Sequence, residues 1–269
     1  MNYSKMNENG ASPEIGNNCK LSKTIELDRF VKIGNGCSIG DNVKIGFNTR
    51  IGNNVSIEEE VVIGNNTKIY DNVTIRSHTM IEDNVEIGYD KLSRKKSYYE
   101  DYNTHIGNNC IIRSGAVIYK SCRVGDRSWI GNYSVIRENT LIGNDTTFGS
   151  HIMCEGYSSF GNNTKIYSFC ELGGNMEVED NVFIGPGTVT ANNPKPLIST
   201  DEKPTTRRWD DGINKVVDKG PTIRHGARIG IGSILLAEIE IGRGALVAAG
   251  SVVTKNVSGN TTVKGVPAK

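Results

Sequence analysis

Four histidines and six cysteines are the side chains of this chain that could move a proton, attack a carbon or hold a metal near neutral pH. Their spacing separates those uses. No two histidines stand close enough to make the paired ligands of a zinc site, and the cysteines are not paired either. Cys19, Cys37, Cys110, Cys122 and Cys170 share one position of a six-residue pattern and Cys154 holds another. Both positions want a small inward side chain, which a free cysteine supplies as a compact hydrophobe. His151, outward in register and followed by Glu155, is the candidate general base. His78 sits at the same register position far up the chain, while His105 and His225 flank two breaks in the pattern. The first break groups Arg94, Lys95 and Lys96 with Tyr98, Tyr99 and Tyr102, a set that could grip a phosphate or a sugar, or form a solvated loop or subunit contact.

What must position these residues is a repeat. From Ile33 to Ile87 an isoleucine recurs every six residues, and the register extends back through Leu27, Leu21 and Ile15. It resumes from Ile106 to Thr190 and again from Ile223 to Val253, giving thirty-four repeats. A period of six fits neither a helix nor a half-buried strand. With the isoleucine as position one, position two is usually Gly, positions three and four are often Asn or Asp, and position five is small or β-branched, as at Val43, Thr49 and Val55. Gly and Asn tolerate the positive φ of a corner, and Val, Ile and Thr suit short extended runs. Each hexapeptide therefore predicts one strand and one turn, with positions one and five inward, burying a core only when stacked on its neighbours. The fold class is all-β.

The shared repeat predicts one elongated domain over 15–269 behind a loose leader at 1–14, with loop insertions at 88–105 and 191–222. The nineteen-residue step from Ile87 to Ile106 equals one coil plus one residue if three repeats make a coil. A long insertion inside a compact fold is usually functional. A net charge of +1 without a sustained basic run leaves no electrostatic footprint for nucleic acid. No apolar run approaches a membrane span, and the polar N-terminus lacks a signal-peptide core, so the expectation is a cytoplasmic protein.

The hexapeptides, with the closing stretch IGRGALVAAGSVVTKNV and GVPAK, resemble those of the hexapeptide-repeat acyltransferases, closest in appearance to the sugar and nucleotide-amino-sugar acetyltransferases. The resemblance implies a left-handed parallel β-helix of about eleven triangular coils, roughly 50 Å long, in which residues eighteen apart stack. It implies acetyl-CoA as co-substrate and a homotrimer with sites between subunits. The pantetheine arm is thin and amide-bearing, so it can follow stacked coils where small residues expose the backbone. Gly232, Ser233, Ala237, Ala249 and Gly250 would allow that approach, and Lys255 and Lys264 would meet phosphates.

Two departures from the family pattern bear on the proton. O-acetylating relatives carry a loop T-A-T-H-P, and the matching run here is Thr190-Ala191-Asn192-Asn193-Pro194, with Asn193 in the place of the histidine. Amino-sugar relatives carry a Ser-His pair one coil earlier, where this chain has Ser168-Phe169. Others, whose loop begins F-T-N, manage with an Asn that Asn192 matches in register. The resemblance thus makes His151, Asn192 and Asn193 the catalytic candidates, with Ser168, Phe169, Arg207 and Arg208 against the substrate. A sugar amine can attack once neutral, whereas a hydroxyl needs a strong base. The expected activity is N-acetylation of an amino sugar, nucleotide-linked, for surface polysaccharide or glycan synthesis. The alternatives are a saccharide O-acetyltransferase and a non-catalytic β-helix scaffold. A zinc enzyme like the γ-class carbonic anhydrases is disfavoured by the absence of a close histidine pair, and no metal is expected.

Overall fold

A computed structural model describes residues 12–90, 103–194 and 219–269. Its thirty-five short strands, mostly of two residues, begin with Glu14–Ile15 and end with Thr262–Val263. All pair in parallel, each with the strand three further on except at the last pair, which is two apart, to build three sheets of 12, 11 and 12 strands. The chain is a left-handed β-solenoid of about twelve turns, slightly more than the eleven coils expected. The extra strand comes from the end of the chain. There Val247 pairs with Val263, so the last turn is two residues shorter than the usual eighteen and hides from a six-residue count.

Stacking at eighteen residues explains each position of the repeat. Lys32 pairs with Arg50 and Ile33 with Ile51, putting the isoleucines into continuous interior columns. Ile45, Ile81 and Ile118 are essentially inaccessible, as are Val43, Val55 and Val73 at position five. At position two, a Cβ on Gly34 would lie 2.5 Å from the carbonyl oxygen of Gly52, so the backbone is in contact with the next turn. At position three, the Oδ1 of Asn35, Asn53 and Asp71 accepts the N–H of the residue one turn earlier, at 2.7–2.8 Å. Position four is left-handed, and among the described residues thirteen of the twenty-four such non-glycine residues are asparagine.

Hydroxyls and thiols at position five act alike. Thr49 donates to the carbonyl of Gly64 at 2.7 Å and Cys37 to that of Gly52 at 3.1 Å. All six cysteines are free, five of them buried, as core residues should be. Burial pushes the thiols of Cys110, Cys154 and Cys170 up to about 11 and raises Cys122 as well.

The first interruption is the nineteen-residue step from Ile87 to Ile106. Strand Thr104–Ile106 pairs with Val73–Ile75, the place next in order after Glu86–Tyr89. The step is therefore one ordinary corner carrying thirteen extra residues, not an additional coil. A shift of register between Ile87 and Tyr89 marks its root, where Gly88 adopts φ +86°. The second interruption leaves after Val189–Thr190 of the first sheet and returns before Thr222–Ile223 of the second. Both insertions thus open from one edge of the prism, where the chain passes from the first sheet to the second. The basic and tyrosine cluster at 94–102 lies outside the described residues.

Candidate functional site

The candidate residues fall on two edges that bound the outer face of the first sheet. One edge carries the turns from the third sheet to the first. Its left-handed position is held in succession by Tyr133, His151, Phe169, Gly187, Gly232 and Gly250. The His151 ring is exposed and lies between two others, 5.2 Å and 3° from Phe169 and 5.4 Å and 22° from Tyr133. Above Phe169 the ladder stops. A Cβ on Gly187 would meet only the Cα of Gly232 at 4.0 Å, and one on Gly232 or Gly250 would meet nothing within 4 Å. Ala249 precedes Gly250 on this edge, and exposed Lys264 stands at its end.

The opposite edge carries both insertions. At the root of the second, the Nδ2 of Asn192 donates to the Oε2 of Glu155 at 2.9 Å. The two come from different turns, and Gly173 lies between them. A Cβ on Gly173 would stand 3.0 Å from the Cβ of Asn192, so this glycine lets the amide reach down to the carboxylate. The N–H of Gly173 donates to Thr190 Oγ1 at 2.8 Å, and the paired register at this rung ends with Glu171 and Val189. One turn below Glu155, Arg137 is bound to Glu138 at 3.0 Å, with both side chains mostly shielded. Asn193 follows Asn192, half-buried, and Ala237 and Lys255 lie further along the same edge.

Geometry therefore divides the candidates. His151, Phe169, Gly232, Ala249, Gly250 and Lys264 share the aromatic edge, while Asn192, Asn193, Ala237 and Lys255 share the insertion edge. Four residues of extended chain, up to roughly 13 Å, separate His151 from Glu155 across the face. Two candidates are turned to structural use. Ser233 is fully buried and its hydroxyl donates to the carbonyls of Gly230 and Ala248. Ser168 Oγ accepts the N–H of Ser150 at 3.0 Å, supporting the turn beneath Phe169. Arg207 and Arg208 lie outside the described residues. Among the described residues, no three of His, Cys, Asp and Glu gather as a metal set would, and no helix is long and apolar enough to cross a membrane.

Tyr133 is an addition to the expected set, and Glu155, noted in sequence only as a neighbour of His151, gains a partner of its own. Glu155 had a signal: it replaces the usual glycine at position two, so its side chain must lie outside on a corner. Tyr133 stands eighteen residues before His151, as His151 stands before Phe169.

Comparison with known proteins follows this repeat. Residues 12–53 and 37–77 match the bacterial transferase hexapeptide, and residues 223–255 match the hexapeptide repeat of succinyl-transferase. A serine acetyltransferase of Buchnera aphidicola subsp. Acyrthosiphon pisum is 38% identical over 102 residues, covering 38% of this chain and 35% of that protein. The serine acetyltransferase of Escherichia coli K12 is 52% identical over 52 residues, 19% of each chain. The chain thus spans about a third or less of these curated relatives. Among solved structures, a UDP-N-acetylglucosamine acyltransferase from Campylobacter jejuni superposes over 93% of this chain and 73% of its own, with TM-score 0.43 and 16% identity. A variant of AntD, an N-acyltransferase from Bacillus cereus in complex with dTDP and coenzyme A, covers 68% of this chain and 89% of its own, with TM-score 0.39 and 20% identity. By its register and by both matched blocks, the chain carries the bacterial transferase hexapeptide over residues 12–77 and the related succinyl-transferase repeat over residues 223–255.

Proposed function

We propose that the chain is an acetyl-CoA-dependent acetyltransferase that acylates the amine of an amino sugar, with a nucleotide-linked sugar as the preferred acceptor. The observation that carries this reading is the Asn192–Glu155 contact across Gly173. A carboxylate held at the root of a long insertion suits an amine, which it can bind as the ammonium and orient once neutral. The acceptor nitrogen attacks the thioester carbonyl, a C–N bond forms, the C–S bond breaks and coenzyme A leaves as the thiol. His151, presented by its ring edge, takes the proton that the nitrogen loses and returns it to the departing sulfur. The open backbone along Gly187, Gly232 and Gly250 suits the pantetheine arm, and Lys264 stands where a phosphate would end.

One chain holds these groups on two edges, so the site needs a second copy. In a homotrimer packed through the first-sheet face, the aromatic edge of one subunit meets the insertion edge of the next. Met153, Val189 and Ile234 make the upper part of that face apolar, each about 40% exposed in the single chain.

The identity to serine acetyltransferases over part of the chain favours a second acceptor class, serine itself. Thiol release from acetyl-CoA, measured against nucleotide amino sugars, matched hydroxyl sugars and serine, decides between them. Turnover with the amino sugars alone supports the first reading. Turnover with serine alone replaces it, and release with no acceptor leaves a scaffold that kept the fold.

A further inference from the structure

The outer face of the third sheet carries a groove of about 470 Å³ that the candidate site does not use. Its floor is Phe183, which pairs with Lys165 one turn below and Arg228 one turn above. Leu246 closes one end, and Asn163 and Asn181, joined by a 2.6 Å hydrogen bond, form one wall. Phe183 also packs against the half-exposed ring of Tyr167 at 5.3 Å, so an aromatic pair lines the way to the edge that bears Phe169.

Two cations line this groove from opposite sides of Phe183. Among the described residues, neither Lys165 nor Arg228 makes an ion pair or side-chain hydrogen bond. Four residues from Arg228, Arg224 is tied to Glu179 and Glu240 at 2.9 and 2.7 Å. At about 4.8 Å per rung, the backbone positions of Lys165 and Arg228 stand roughly 10 Å apart with Phe183 between them. Long flexible arms from either side can close on one anionic group above the ring. A phosphate answers the cations, and a planar base answers the exposed aromatic surface.

We propose that this groove binds a nucleotide, its base against Phe183 and Tyr167 and its phosphates held by Lys165 and Arg228. The inference deepens the acetyltransferase reading and rests on it for the origin of the nucleotide, which is either the acceptor's nucleoside diphosphate or the nucleotide end of coenzyme A. Both present the same chemistry, and the groove abuts the edge where the acyl group would be transferred.

Calorimetric titration of the full chain with UDP, adenosine bisphosphate and inorganic pyrophosphate tests it, using Lys165→Gln, Arg228→Gln and Phe183→Leu. All three side chains are on the outer face, so the fold tolerates their change. Each cation variant is expected to weaken nucleotide binding about tenfold and flatten its salt dependence. Phe183→Leu should weaken the nucleotide on the order of tenfold while leaving pyrophosphate unchanged. UDP affected alone assigns the groove to the acceptor, and adenosine bisphosphate alone to the cofactor. The inference is overturned if no nucleotide binds at millimolar concentration, if the variants bind like the wild type, or if Phe183→Leu has no effect and a plain anion site remains. It is overturned equally if the variants change the molar mass, marking the groove as a subunit interface. Thiol release on the same preparations separates the two claims. Unchanged KM values in all variants sink the groove and leave the acetyltransferase, whereas nucleotide binding without release from any acceptor does the reverse.

Discussion

The imidazole of His151 lies parallel to the phenyl ring of Phe169, 3° between planes and 5.2 Å between centroids. With Tyr133 on the other side, the imidazole is stacked on both of its faces. A base so held is fixed in orientation by packing alone. His151→Asn places at this left-handed corner the residue used most often at the others, so the fold should persist. Turnover should fall by roughly a hundredfold to ten-thousandfold, with coenzyme A binding retained. Wild-type turnover in this variant would remove His151 from the proton path.

Asn192 reaches Glu155 only because Gly173 has no side chain. Gly173→Ala should therefore reproduce Asn192→Ala, raising the KM for an amine acceptor severalfold while thermal unfolding shifts little. Glu155→Gln keeps the shape and removes the charge. If it spares hydroxyl acceptors and impairs amines, the carboxylate recognises the ammonium; an equal effect on both would mean the pair only anchors the insertion.

The apolar first-sheet face predicts assembly. Met153→Asp combined with Ile234→Glu puts two charges where a like subunit would pack, one turn either side of Glu171 and Val189. Light scattering should then give a monomer, and thiol release should be lost together with the assembly. A monomeric wild-type protein with full activity would show that one chain completes its own site.

Alkaline pH should loosen the core before it affects the corners. In the unfolded chain thiols lose their protons near 9, whereas Cys110, Cys154 and Cys170 keep theirs to about 11 when folded. Between these values the unfolded state binds fewer protons, so stability falls as pH rises. Melting temperature should decline from pH 9 to 11, and the decline should shrink in a variant carrying Cys110→Val and Cys170→Ser. Below pH 9 the native protein should resist maleimide at its five buried cysteines.

Much of this architecture was legible in the sequence because the repeat is enforced twice, once by isoleucines that fill a narrow interior and once by corners that only Gly or Asn enters without strain. The pairing of His151 with Phe169 followed from a spacing of eighteen. The split of the cofactor candidates needed a further step. Gly232 and Ala237 are five residues apart, nearly one side of the triangle, so small residues close in sequence face different edges. The nineteen-residue step could be read as a loop because no hexapeptide survives within it, although its length alone does not separate a swollen corner from a coil. Nor does composition reveal that Asn192 finds a carboxylate two turns away, since that depends on a glycine between them.

Both insertions leave from a single edge, five first-sheet rungs apart, and the strands on either side keep their places as though nothing had been added. Location in this molecule is thus set by counting rungs, not residues. Each corner is a free address at which material of any length can be attached, and its height and heading are already fixed by the stack. Equipment for a new acceptor can be mounted or exchanged at such an address without renegotiating the frame that carries it.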